Sequence, residues 1–269
     1  MKKYWHVIGI GIQNNLTYRV NYLARTLFSF IPLFAMLSLW RTIYTGQGAA
    51  IAGYTLAEMI SYYLLVAVVD VLTGVNEDDW QIAADIREGN ISQFLLKPMD
   101  YLWYRLCLFF SGRVAYVAVA VVPLVIFIAC FGNYFVLPPN GTTFMVFLIS
   151  LGLTALLQFF ISYAMAMLAF WVLEVSTFIF ILFAFEYLAS GHMFPLSLLH
   201  SRFPFLEHIL FLTPFPYQMY FPVSIYMGRI TGADLLQGML VQAGWVLVAY
   251  GFARFMWKRG VRHYGAFGG

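Results

Sequence analysis

Six stretches of this chain, at 26–44, 56–75, 102–131, 142–170, 172–188 and 235–257, are each close to a membrane's thickness in length and almost free of charge. A bilayer core about 30 Å thick needs roughly 20 apolar residues as helix. The stretches therefore predict an all-α polytopic membrane protein. They lack the alternation of apolar and polar side chains with tight turns that a membrane barrel requires. Composition agrees: 62% of the residues are hydrophobic and only 10% are charged, too few to solvate a soluble domain of 269 residues. The fourth and fifth stretches form one apolar block, split near 171–177 where Glu174 interrupts it. Unsplit, the block would run to about 45 residues, too long for one crossing.

The basic residues orient these spans. Lys2, Lys3, Arg19 and Arg25 precede the first; Arg87, Lys97, Arg105 and Arg113 lie in or near the second connection; Arg254, Lys258, Arg259 and Arg262 close the chain. Six spans put these twelve on one side, against Arg41, Arg202 and Arg229 on the other. The positive-inside rule then makes both termini and the 76–101 loop cytoplasmic. The balance holds only if the fourth and fifth stretches are separate. The net charge of +3 follows from this topology and gives no nucleic-acid surface, because the basic residues are divided among three membrane-proximal segments. An amphipathic stretch follows Lys2 and Lys3, so no cleavable signal peptide is expected. Cys107 and Cys130 would lie about 35 Å apart on one helix and cannot pair with each other.

Residues 3–25 repeat Trp5, Ile8, Ile12, Leu16, Val20 and Leu23 at helical steps, with Gln13, Asn14, Thr17 and Asn21 between them. This predicts an amphipathic helix lying in the cytoplasmic interface. In the next cytoplasmic loop, Asn76 can cap a short helix whose first turn holds Glu77, Asp78 and Asp79. Trp80, Ile82, Ala83 and Ile86 give that helix an apolar side, and Gly89-Asn90 offers a left-handed stop. The segment 191–234 is rich in Pro and aromatic residues, as in Phe203-Pro204-Phe205 and Pro214-Phe215-Pro216-Tyr217. It is too apolar for a free loop and too interrupted for a straight span, which predicts short re-entrant helices at the outer mouth of a single membrane domain.

The chemistry of common catalytic sites is missing. Gly9-Ile10-Gly11 lacks the further glycine of a phosphate-binding loop, and no Gly-Lys-Ser/Thr occurs, so the chain is not expected to hydrolyse ATP by a P-loop of its own. No zinc-protease motif or metal-spaced cysteine pair is present. His192, His200 and His208 are read as external, at a spacing unsuited to a shared metal. Ser190 beside His192 suggests a hydrolase only weakly, because no orienting acid is evident in the sequence. Intramembrane acids carry more weight: Glu58 and Asp70 in the second span, Glu174 and Glu186 in or near the fifth. Asp70 is expected toward the cytoplasmic end and Glu186 in the outer half. A carboxylate at such depth is costly and marks a candidate functional site. Glu186, among Phe183, Phe185 and Tyr187, could hold a cationic aromatic substrate, or could equally be a protonated packing residue. Glu174 is read as a turn residue.

Several strings resemble a known family. Residues 86–98, Ile-Arg-Glu-Gly-Asn-Ile-Ser-Gln-Phe-Leu-Leu-Lys-Pro, are similar to the cytoplasmic motif of type-2 ABC exporter permeases. Phe170-Trp171, then Gly191 with Phe194-Pro195-Leu196, resemble that family's fifth span and its exit. Tyr220-Phe221-Pro222 and Tyr226-Met227-Gly228-Arg229 resemble its external segment, and 262–269 its basic tail, so the resemblance runs from Tyr18 to Gly269. It implies a half-transporter in a bacterial cytoplasmic membrane, with a second permease chain, identical or homologous, and separate ATPase subunits that bind ATP and Mg. This chain itself is expected to hold no cofactor or metal. The resemblance assigns ATPase coupling to Asp85, Ile86, Arg87, Glu88, Gly89, Lys97 and Pro98. It implies a substrate path along the second and fifth spans, where Asp70, Phe183, Glu186 and Tyr187 are the candidate residues, and a drug-like substrate such as an organic dication. Lys97 stands where that family often has Arg. The alternatives are export of a lipid or lipid-linked glycan, a stand-alone channel or secondary transporter, and a membrane-embedded transferase. A secondary transporter would be expected to show matching broken spans in two halves, and a transferase converging polar side chains; Pro32 and Pro123 do not occupy matching halves, and no such convergence is seen.

Overall fold

A computed structural model describes residues 2–17, 19–47, 50–51, 53–75, 78–172, 174–200 and 202–267. In chain order its helices are α1 (Lys2–Thr17), α2 (Arg19–Gln47), α3 (Leu56–Thr73), α4 (Asp78–Arg87), α5 (Asn90–Leu95) and α6 (Tyr101–Cys130). They continue as α7 (Gly141–Ala166), α8 (Ser176–Ala189), α9 (Ser197–His200), α10 (Pro204–Phe211), α11 (Tyr220–Tyr226) and α12 (Gly232–Phe267). No strand occurs among the described residues. The cap expected at Asn76, with Glu77 beside it, lies outside the described residues, as do Tyr18 and the Gly268-Gly269 end of the tail.

Five helices are long and apolar enough to cross a membrane: α2, α3, α6, α7 with the 3₁₀ turn Met167–Phe170 that extends it, and α12. The fifth predicted span is the exception. The helix there starts at Ser176 instead of residue 172 and has 14 residues, about 21 Å at 1.5 Å per residue and short of a bilayer core. Glu174 accounts for the late start: its carboxylate accepts from the Ser176 backbone N–H at 3.2 Å and from the Ser176 hydroxyl. Those hydrogen bonds hold the Glu174 carboxyl below the usual carboxylate range, with Arg87 adding to the effect.

Contacts sort the bundle into two ends. At one, which carries most of the basic side chains, the Lys3 ammonium donates to the Pro98 carbonyl and Arg254 pairs with Asp100. There too the Tyr264 and Ser92 hydroxyls meet at 2.6 Å. Both ends of the chain therefore gather around α4 and α5. At the far end, Arg229 donates to the Glu58 carboxylate at 2.8 Å and to the Gly53 carbonyl at 2.9 Å, with its guanidinium over the Tyr54 ring. Glu58 also closes a capping box with Thr55 at the start of α3. That acid is occupied by local structure.

The amphipathic segment predicted over 3–25 is divided between two helices. α1 packs along the first half of α6, where Gly11 is buried against Ser111. Residues 19–25 belong to α2, because the apolar period continues into the span without a breaking residue.

Between 171 and 231 the chain must travel from the basic end to the far end, and no single helix makes the journey. α8 rises part of the way. The chain reaches the far end at Ser197, whose hydroxyl donates to the Tyr54 hydroxyl. It then dips to the 3₁₀ turn Phe215–Gln218, where the Tyr217 carbonyl accepts from Thr154 and Gln242. Thr154 is more than three turns into α7, so the dip is about 20 Å deep. α11 climbs back, packing Tyr226 against Phe147.

Candidate functional site

The deepest concentration of polar side chains lies where α3, α7 and α8 face one another. Asp70, Gln158, Ser162, Phe183, Glu186, Tyr187 and His192 line a cavity of about 180 Å³ there. A second cavity, of about 360 Å³ between α2, α3 and α6, shares Asp70, Gly74, Val75, Tyr187 and His192 with it, so these five form the partition.

His192 reaches this depth because the turn after α8 is pulled inward. Tyr62 Oη donates to the Gly191 carbonyl and Tyr63 Oη to the Met193 carbonyl, each at 2.6 Å. The Tyr220 N–H donates to the Ser190 carbonyl at 2.9 Å. Gly191 has φ +96°, and a β-carbon there would sit 2.8 Å from Tyr62 Oη, so both the turn and the close approach of α3 require glycine. His192 Nε2 then lies 2.9 Å from Asp70 Oδ1, Nδ1 lies 2.6 Å from Ser190 Oγ, and the ring stacks on Tyr187. A neutral imidazole with its proton on Nε2 satisfies both contacts, donating to Asp70 and accepting from Ser190.

This geometry corrects two expectations. His192 is not external, and the orienting acid missing from the sequence reading is Asp70, more than 120 residues away in the chain. The Ser190–His192–Asp70 line nevertheless runs the wrong way for a hydrolase. Ser190 is fully buried, whereas the Asp70 side chain is 46% exposed toward the cavities it lines. A nucleophile must be the end that substrate reaches; here the carboxylate is.

Glu186 is also moved from its expected place. Because α8 is short, the residue stays at the level of Asp70 instead of in the outer half, and both acids line the same cavity with Phe183 and Tyr187. His200 and His208 remain at the far end, His200 against Glu207 at 2.7 Å and His208 against the Pro204 carbonyl. No group of His, Cys, Asp or Glu among the described residues could hold a metal ion.

Gln158 and Ser162 were absent from the sequence reading. They extend a regular series: Ser150, Thr154, Gln158 and Ser162 recur at every fourth position of α7, and all four are buried. Four residues at 100° each turn the direction by about 40° per step, so the stripe winds around the helix. Its upper half meets Gln242 of α12 and its lower half faces the cavity. Gln158 is 5% exposed, and its Oε1 has no hydrogen-bond partner.

At the basic end the seven coupling candidates divide by direction. Asp85 accepts from Arg105 Nη2 at 2.9 Å and from Tyr101 Oη at 3.0 Å, and Ile86 is buried with Ile82 and Ala83. These residues anchor α4 on α6 and α7. Trp80, expected on the same apolar side, stays 39% exposed. Arg87, Glu88, Lys97 and Pro98 are exposed. Gly89, at φ +79°, turns the chain between α4 and α5 in the left-handed conformation that its sequence predicts. Leu96 is 89% exposed beside Lys97, an apolar and basic surface directed away from the bundle.

A family model described as ABC-2 family transporter protein matches residues 30–268, which include the cavity, the α4–α5 segment and the 190–230 excursion. No curated protein matches the chain.

Proposed function

We propose that this chain, which belongs to the ABC-2 transporter family and is a multi-pass permease subunit of an ABC transporter, exports a small hydrophobic cation from the cytoplasm. The observation that carries the substrate class is the pair of acids, Asp70 and Glu186, lining one cavity at membrane depth beside Phe183 and Tyr187. Carboxylates so placed favour a cation, and aromatic faces add to that preference.

The basic end is read as cytoplasmic under the positive-inside rule, with both termini there in a bacterial inner membrane. The composite passage through α8 and α11 counts as the fifth of six crossings. Arg87, Glu88, Lys97 and Leu96 form the surface on which a separate ATPase subunit docks. Asp85 and Ile86 transmit its movement to α6 and α7. α8 leaves Phe180, Ile181 and Leu188 exposed, an apolar face suited to a second permease chain. Closure of the ATPases then rocks two permeases against each other, and the cation leaves along the α3 and α8 faces.

Replacing Arg87 and Glu88 together by alanine is expected to abolish co-purification of the ATPase while membrane insertion stays normal. An intact complex with normal transport in that variant would remove the coupling assignment. Glu186→Gln is expected to lower export of a cationic substrate about tenfold relative to a neutral one of similar size, as loss of a charge-assisted contact would. Equal effects on the two substrates would return Glu186 to a packing role.

A further inference from the structure

We propose that the groove between α10, α11 and α12 at the far end is a site for one phospholipid with a primary ammonium headgroup, whose ammonium pairs with Asp234 and whose acyl chains lie against Phe211, Tyr217 and Phe221. The proposal goes beyond the transporter reading and stands whatever substrate the acid-lined cavity takes. The groove is polar at the membrane boundary and apolar below it, as the two ends of a lipid are.

The groove has a volume of about 230 Å³. α12 supplies one wall through Asp234, Gln237, Gly238 and Val241, the i, i+3, i+4 and i+7 positions of a single helix face. Phe211 at the end of α10, Tyr217 in the 3₁₀ turn and Phe221 of α11 make the opposite side. Their ring centroids lie 6.3 Å apart for Phe211 and Tyr217 and 5.4 Å apart for Tyr217 and Phe221. Gly238 sets the floor: a β-carbon there would sit 2.2 Å from the Phe221 ring, so bare backbone lets that ring lie against α12.

Depth sorts the lining by polarity. Asp234 lies in the first turn of α12. Gln237 is about 4.5 Å deeper and Val241 about 10 Å deeper, at 1.5 Å per residue. Asp234 and Gln237 are both exposed, and Arg229, the nearest base in the chain, is committed to Glu58. Leu236 and Leu240, which follow Gln237 around the helix, are exposed too. The groove therefore opens sideways onto the apolar surface of a helix that can cross a membrane. A soluble amine would fill only the Asp234 end, and a hydrocarbon only the aromatic end; an amphiphile satisfies both. The Asp234 carboxylate favours a headgroup whose cation carries N–H donors over a quaternary one, which cannot hydrogen-bond, and it repels an anionic headgroup. Gln237, one turn below, lines the groove with an amide that can donate to the phosphate.

The full-length chain, purified in detergent, is offered equal amounts of dioleoyl phosphatidylethanolamine, phosphatidylcholine and phosphatidylglycerol, and native mass spectrometry counts which lipid stays bound. Phosphatidylethanolamine is expected to be retained about fivefold over phosphatidylcholine, as one exposed carboxylate–ammonium contact allows, with phosphatidylglycerol last. Asp234→Asn should bring the first two level and raise the third. Gln237→Trp, which fills the mouth from an exposed position, should lower retention of all three. Equal retention of the three lipids by the unaltered protein, or a preference that survives Asp234→Asn, would overturn the site. So would retention that Gln237→Trp leaves untouched. An occupant of another kind has its own signature. Gln237→Cys chains that form a disulfide with each other in lipid nanodiscs, beyond any formed by the unaltered protein, would give the groove to a second copy of this chain and overturn the lipid assignment.

Discussion

Two buried glutamines, Gln242 and Gln158, touch the same polar stripe of α7 and are used in opposite ways. The Gln242 amide reaches four groups: its two N–H, one of them shared, donate to the Ser150 carbonyl, Thr154 Oγ1 and the Tyr217 carbonyl, and Oε1 accepts from Ser150 Oγ. That knot ties α7 to α12 and holds the 215–218 turn at its depth. The Gln158 side chain, one turn beyond Thr154, lines a cavity, and its buried carbonyl oxygen has no partner. Within an apolar medium the first arrangement is a fastening. The second leaves a buried carbonyl unanswered. Burial and residue type are alike in the two regions, so only the accounting of hydrogen-bond partners distinguishes them.

The comparison can be broken by substitutions that remove one side at a time. Gln242→Leu is expected to have the largest effect on stability. Interhelical hydrogen bonds in membranes average about 0.6 kcal/mol each, but this amide serves four groups, and its loss leaves the Tyr217 carbonyl with Thr154 Oγ1 as its remaining donor. A cost of about 1–3 kcal/mol is expected, visible as a lower thermal midpoint in detergent. An unchanged midpoint would mean that the knot holds nothing. Gln158→Leu should leave the midpoint unchanged or raise it by up to about 1 kcal/mol equivalent, because a dry amide is replaced by an apolar group. A loss matching that of Gln242→Leu would erase the distinction. The smallest contrast pairs two serines of the stripe. Ser150→Ala should cost about 0.5–1 kcal/mol through its bond to Gln242, while Ser162→Ala should stay within about 0.5 kcal/mol. The same scan measures both, and reversed rankings would reassign which half of the stripe is structural.

Much of this arrangement is legible in the residues. The five long helices follow directly from apolar runs of membrane length, and the basic residues that gather around α4 and α5 mark the end where both termini meet. Gly89 announces its left-handed turn. The anchoring side of α4 is legible at Ile82, Ala83 and Ile86, and fails at Trp80, where periodicity alone cannot tell which residue lies at the rim. The stripe at Ser150, Thr154, Gln158 and Ser162 is also written in the sequence, but averaging hydropathy over a span conceals four polar residues among so many apolar ones.

The cavity's composition is another matter. Asp70 meets His192 only because two tyrosines of α3 draw in a turn more than 120 residues away, and such contacts have no local signal. The length of α8 depends on Glu174 binding back onto Ser176, a choice between turn and helix that composition leaves open. With α8 short, Glu186 comes to line the same cavity as Asp70.

The brevity of α8 also bears on how the protein is made. A helix of 14 residues does not satisfy the length at which an inserting segment settles across a bilayer by itself. It enters as the second arm of a hairpin begun by α7, and its upper end stays unsupported until Tyr220 and Gly191 come together. The residues that complete the membrane passage are therefore synthesised some thirty positions after the helix they complete. Every residue that lines the acid-lined cavity has been synthesised by His192, but Tyr220, whose N–H holds the Ser190 turn, has not. The contact that steadies the upper end of α8 is consequently made late, and a chain cut short before α11 is expected to lack it.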